Sequence, residues 1–121
     1  MKNDGVRKEL SERFLDFAAN IIKLAVGLSK TNAGRHIGGQ LERAATSAGA
    51  NYEEACSAES RADFIHKLQI SLKELRESLY WLRLIEKSNL ASASSLELPK
   101  NEANELAKIV AKSIVTAKTK K

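Results

Sequence analysis

Arg43, Ser47, Asn51 and Glu54 follow one another at intervals of four, four and three residues, the spacing that brings side chains onto one stripe of an α-helix. A guanidinium, a hydroxyl, an amide and a carboxylate in one row have two uses. They can tie helices together, with Arg43 and Glu54 paired to charges on a neighbouring helix such as Glu74 and Glu77, while Ser47 and Asn51 satisfy one another or the backbone in the bundle interior. Alternatively, the row can line a small polar pocket. Asp63 and His66 make an Asp-x-x-His pair on one helical face, a fragment of the carboxylate-x-x-His motif of di-metal bundles. The full motif needs that pair on two helices and a carboxylate from each of two more. The second histidine, His36, has no acidic residue three positions before it, so no metal ligand is assigned.

Cys56, the single cysteine, has no CxxC partner and no adjacent histidine to serve as a base, and reads as a small apolar side chain near a helix end. Gly38-Gly39 lacks the preceding strand and the following Lys-Ser/Thr of a phosphate-binding loop. Tyr80 and Trp81, followed by Arg83, have the composition of a nucleic-acid contact, but a Trp at helical spacing among leucines also suits a core or an interface. No base, nucleophile and orienting group can be assembled from these residues. The expectation is a non-enzymatic protein with no catalytic residue, no cofactor and no small-molecule substrate.

These side chains are carried by four amphipathic segments. Leu10, Phe14, Phe17, Ile21, Leu24 and Leu28 alternate steps of four and three, which predicts a first helix over about residues 7–30. Thr31, Asn32 and Gly34 supply turn and N-cap chemistry for a second helix over about 34–57, whose inner side (Ile37, Leu41, Ala44, Ala45, Ala48, Tyr52, Ala55) is rich in small residues. Gly38, Gly39 and Gly49, each unfavourable in a helix by about 1 kcal/mol against Ala, point to tight packing or a bend there. Ser60 with Asp63 forms a capping start for a third helix over about 61–88, which carries Phe64, Leu68, Leu72, Leu75, Leu79, Leu82 and Ile85 or Glu86. Additional apolar residues on its flanks imply contact with two neighbours or with another subunit. Ser88 to Leu98 reads as a Ser-rich connection, and Pro99 as the first residue of a fourth helix over about 99–118. With no strand signal, the pattern predicts an all-α, antiparallel up-down-up-down four-helix bundle.

Composition narrows the function classes. A chain of 121 residues suits one domain, and six aromatic residues, six glycines and one proline do not suit a sandwich or barrel. Phe14 to Leu28, the longest mostly apolar stretch, is interrupted by Asp16, Asn20 and Lys23 and is shorter than the roughly 20 residues a bilayer span requires. The opening MKNDGVRKEL lacks an apolar signal core, and one unpaired cysteine suits a reducing compartment, so a cytoplasmic location is expected. The formal net charge of +5 equals the charge carried after Leu106 alone, where Lys108, Lys112, Lys118, Lys120 and Lys121 occur with no acidic residue. Such a cluster is either a solvated helix face or a set of nucleic-acid contacts that draws phosphate in a salt-dependent, sequence-independent way.

The stretch from Gln40 to Leu90 resembles the 23S rRNA intervening-sequence proteins of bacteria. The resemblance rests on the Arg43, Ser47, Asn51, Glu54 row, on Ser60 with Phe64, and on Leu72, Glu74, Glu77, Trp81 and Leu82. Ala48-Gly49-Ala50 followed by Tyr52 departs from the family pattern, which often has Ile or Val after the Ser. The resemblance implies an antiparallel bundle that assembles as a ring-shaped homo-oligomer, commonly a pentamer. It also implies a distant likeness to the accessory variability determinant of diversity-generating retroelements, a basic bundle that binds a reverse transcriptase and nucleic acid. The expected partners are therefore other copies of this chain, through an interface involving Tyr80, Trp81 and Leu84, and RNA or another nucleic acid. A protein-protein adaptor without nucleic-acid contact is the alternative.

Overall fold

The structure, a computed structural model, describes residues 4–120. Four helices account for nearly all of them: α1 (Asp4–Leu28), α2 (Asn32–Cys56), α3 (Arg61–Lys87) and α4 (Ala93–Thr119). No strand occurs among the described residues. The apolar stripes of all four helices meet in one core, in which Ile21, Leu41, Leu75, Leu82, Ile85, Leu96 and Leu106 are fully shielded from solvent. α2 lies against both α1 and α3, and α3 against both α2 and α4, whereas α1 and α4 touch sparingly. The two apolar flanks of α3 are thus divided between α2 and α4, and Phe64, Ile65, Leu72, Leu79 and Trp81 pack on the margins of the core. Cross-helix pairings descend on one helix as they ascend on the next: Arg43 with Glu74 and Glu77, Ala48 with Ser71, and Glu54 with Lys67 between α2 and α3.

The helix ends follow local chemistry. Thr31 caps α2, its hydroxyl accepting from the Gly34 N–H at 3.0 Å. Gly34 is required there because a β-carbon would lie 2.0 Å from the Leu28 carbonyl oxygen, a backbone collision that no rotamer relieves. Gly49 has a packing reason as well, since a β-carbon would stand 3.3 Å from Cβ of Phe14, whereas the expected tight packing at Gly39 is absent and that position faces open space. Ser60 caps α3 by accepting from the Asp63 N–H at 3.1 Å. At the far end of α3, Asn89 takes up φ 58°, Leu90 N–H reaches the Ile85 carbonyl and Asn89 N–H the Glu86 carbonyl, both at 3.1 Å. This is a Schellman ending with Asn in the left-handed position usually given to Gly.

α4 differs most from the sequence expectation. It begins at Ala93 and not at Pro99, because Ser92 acts as N-cap, its hydroxyl accepting from the Ser95 N–H at 3.3 Å, and Leu96 is fully buried one turn later. The connection from α3 is accordingly only the few residues after Lys87, and Pro99 lies inside the second turn of the helix. A proline there has no N–H for the Ser95 carbonyl, and its ring crowds that oxygen. Replacing Pro99 by Ala is expected to raise stability by about 1–2 kcal/mol in urea unfolding, less than the ~3 kcal/mol of an interior proline because the ring also restrains the unfolded chain. A loss of stability would show that the ring makes a favourable contact.

Candidate functional site

The polar row on α2 faces α3, where Glu74 and Glu77 stand one turn apart. Nη1 of Arg43 donates to both oxygens of Glu74 at 3.5 and 3.4 Å, and Nη2 donates to Oε2 of Glu77. The same Oε2 accepts from the indole Nε1 of Trp81 at 3.2 Å. Ser47 donates to Glu74 at 3.3 Å, and the Asn51 amide donates to the Ser47 carbonyl at 2.9 Å and hydroxyl at 3.2 Å. The result is a continuous chain from Trp81 through Glu77, Arg43, Glu74 and Ser47 to Asn51. Glu54 is outside this chain, because one turn further along α2 it pairs with Lys67 of α3 at 2.7 Å.

The seam runs along the surface and does not occupy the bundle interior. The Arg43 side chain is 50% exposed, whereas Glu74 is 13% exposed, so the cation is mostly hydrated and one carboxylate is largely shielded. The Trp81 hydrogen bond, followed by the contacts from Arg43, holds the Glu77 carboxyl below the usual carboxylate range against an opposing contribution from burial. These donors and acceptors satisfy one another, so the arrangement fixes the register of α2 against α3.

The other sequence candidates are spread over the molecule. Lys108, Lys112, Lys118 and Lys120 are exposed along the second half of α4 and at its end, and Lys121 lies outside the described residues. None of these four described lysines takes part in an ion pair among the described residues. Tyr80 is exposed, with its ring edge-on to Trp81 at 5.0 Å, and Leu84 is half-buried. His36, His66 and Asp63 are all exposed, and no cluster of metal-ligating side chains forms among the described residues.

One feature was not anticipated from the sequence. At the end of the bundle where α2 turns into α3, the first turns of α1 stand away from the last turns of α4 and leave a cleft of about 690 Å³. Its base includes Leu10, Tyr52, Phe64 and Leu68, and Cys56 lies in its wall. Tyr52 stacks on Phe14 with ring centroids 4.9 Å apart, and burial, reinforced by the neighbouring Cys56 thiol, pushes its phenol above the ordinary range. Segments as distant as residues 6 and 120 meet here, so no local motif could have revealed it.

A chain whose described residues form four helices around one core, with polar side chains joining α2 to α3, is by class a helical-bundle protein. The chain belongs to the 23S rRNA-intervening sequence protein family, whose model matches residues 8–112. It is similar to a crystal structure from Bacteroides thetaiotaomicron VPI-5482, described as a protein with unknown function from the S23 ribosomal protein family. Identity is 36%, the TM-score is 0.82, and the match covers 87% of this chain and 97% of that one. Among curated proteins, none matches.

The seam predicts a weak coupling and a defined pH response. An Arg43/Glu77 double-mutant cycle is expected to give about 0.2–1 kcal/mol, the range of exposed pairs, and several kcal/mol would contradict the exposure of Arg43. Because folding lowers the Glu77 pKa from 4.5, its stabilisation is present above about pH 4.5 and is lost as pH falls through the folded value. The stability gap between the native chain and Glu77→Gln, measured by urea unfolding, should therefore be largest near neutrality and close on acidification. A gap independent of pH would show that the carboxylate charge is not what matters.

Proposed function

We propose that this protein is a non-enzymatic binding module: one antiparallel up-down-up-down four-helix domain that associates with its own copies and holds RNA or another nucleic acid on the basic half of α4. The opposed order of the α2–α3 pairings supports the topology. The observation that carries the binding reading is the set Lys108, Lys112, Lys118 and Lys120, all exposed and none engaged in an ion pair among the described residues. Lysines held this way attract a phosphate backbone as point charges without reading sequence. Several copies in one ring, pentameric as the family resemblance implies, would multiply that field.

A second reading, a protein-interaction adaptor without nucleic-acid contact, is favoured by a different observation. Leu15, Ile22 and Val26 of α1, at steps of seven and four, are 63%, 41% and 66% exposed and form an apolar stripe on the side away from the core. Tyr80 on α3 is a further exposed apolar surface. In this reading the stripe meets protein and the lysines provide solubility.

Light scattering coupled to size exclusion, with and without a structured RNA at low and moderate salt, separates the two. A defined oligomer that carries RNA at low salt and releases it at moderate salt is expected. Replacing Lys108, Lys112, Lys118 and Lys120 by Gln should reduce the slope of log affinity against log salt by roughly 1 for each lysine that contacts phosphate. A defined oligomer that ignores RNA at low salt favours the adaptor, and a monomer removes the self-association claim.

A further inference from the structure

The cleft between α1 and α4 combines an apolar interior with a cationic mouth. Leu10, Tyr52 and Leu68, which form part of its base, are otherwise buried core residues at 9%, 5% and 1% exposure, so the cleft opens directly onto the core. Four of its described lining residues are exposed cations: Arg7 from α1, Arg61 from α3, and Lys112 and Lys120 from α4 and its cap. Glu59, in the α2–α3 turn, is the single acidic residue among the described lining. Arg61 also donates to the Lys120 carbonyl, which ties the start of α3 to the end of α4 and holds two of these cations at the same edge. The volume lies within the ~300–1,000 Å³ of small-molecule sites.

Shape and charge together select a ligand class. Along α4 the lining runs from Ile109 to Lys120, roughly 16 Å of helix at 1.5 Å per residue, so an extended alkyl chain can lie along it. An apolar trough of that form accepts a single alkyl chain, and a surplus of cations at the mouth accepts one anionic head. We infer that the cleft is a binding site for a single-chain amphiphilic anion, a free long-chain carboxylate, whose tail lies on the Leu10, Phe64 and Leu68 surface and whose head meets Arg7, Arg61 and Lys112. The site shares Lys112 and Lys120 with the nucleic-acid reading but does not depend on it, since the apolar base is what calls for an alkyl tail.

Cys56 supplies the test, because it is the only cysteine in the chain and lies in the cleft wall. The full chain is treated with the neutral chromogenic reagent 4,4′-dithiodipyridine in the presence of dodecanoate, below its micelle-forming concentration, or of dodecanol. Dodecanoate is expected to slow the Cys56 reaction at least tenfold, saturably and at one ligand per chain by calorimetry, with the helical circular dichroism unchanged. Dodecanol should protect much less, and Arg61→Gln with Lys112→Gln should weaken dodecanoate binding about tenfold. Thr116→Trp, at an exposed lining position that tolerates a large side chain, should remove dodecanoate binding by filling the cleft. No protection, equal protection by the alcohol, undiminished binding by Thr116→Trp, or protection accompanied by loss of helical signal would each overturn the assignment.

Discussion

Ala44, Ala45 and Ala48 present nothing larger than a methyl group to the interior and are fully buried, which lets α2 lie close to two neighbours at once. The spacing between α2 and α3 is short enough for the Ser71 hydroxyl, itself fully buried, to donate to the Ala48 carbonyl at 2.8 Å. That bond joins a side chain of one helix to the backbone of the next, a contact that a larger residue at position 48 would hold apart. The polar seam depends on the same closeness. Ser47 reaches Glu74 at 3.3 Å only because the adjacent face of α2 is made of alanines. Packing sets the distance, and the seam then selects which turn of α3 stands opposite which turn of α2.

The two layers of interaction divide the labour differently. Burial of large side chains such as Phe14, Phe17, Leu75 and Leu106 supplies the driving force, and the alternation of Leu68, Ser71, Leu75, Ser78 and Leu82 on the buried face of α3 already disfavours a slide by one turn, which would set leucines where serines fit. The chain of hydrogen bonds from Trp81 to Asn51 does not tolerate such a slide. Moving α3 by one turn would leave Arg43 facing one carboxylate in place of two, because Glu74 and Glu77 themselves stand one turn apart. A network whose members are individually weak at the surface therefore contributes more to uniqueness than to stability.

Much of this was legible in the sequence, for identifiable reasons. The three-and-four rhythm of α1 translates into its buried stripe, whereas on α3 it marks Leu68, Leu75, Leu82 and Ile85 but places Leu72 and Leu79 at the margin and misses the buried Ser71 and Ser78; the caps at Thr31 and Ser60 announce themselves by residue type. The Arg43 row could be read because its members lie on one helix and their partners Glu74 and Glu77 on one other. The start of α4 was not legible. Ser94 and Ser95 carry no apolar signal, and Pro99 is a better-known first residue of a helix than an occupant of its second turn. Leu96, fully buried three residues before that proline, was the available clue. The depth at which the seam lies, and the cleft assembled from both ends of the chain, depend on how far helices stand apart, which residue spacing does not encode.

The sparing contact between α1 and α4 makes the packing order a row and not a closed ring: α1 on α2, α2 on α3, α3 on α4. Arg13 and Glu102 bridge the open side with two hydrogen bonds of 3.0 and 2.7 Å, but a pair about one-third exposed adds little holding force. The outer helix of a row has one packed face to give up where an inner helix has two. Release of α1 or α4 from its one close neighbour is thus the least costly sub-global opening of this fold, lower in free energy than complete unfolding. The two outer helices have the least packing to give up, and the surfaces of α2 and α3 beneath them are the parts of the core that such an opening would expose first.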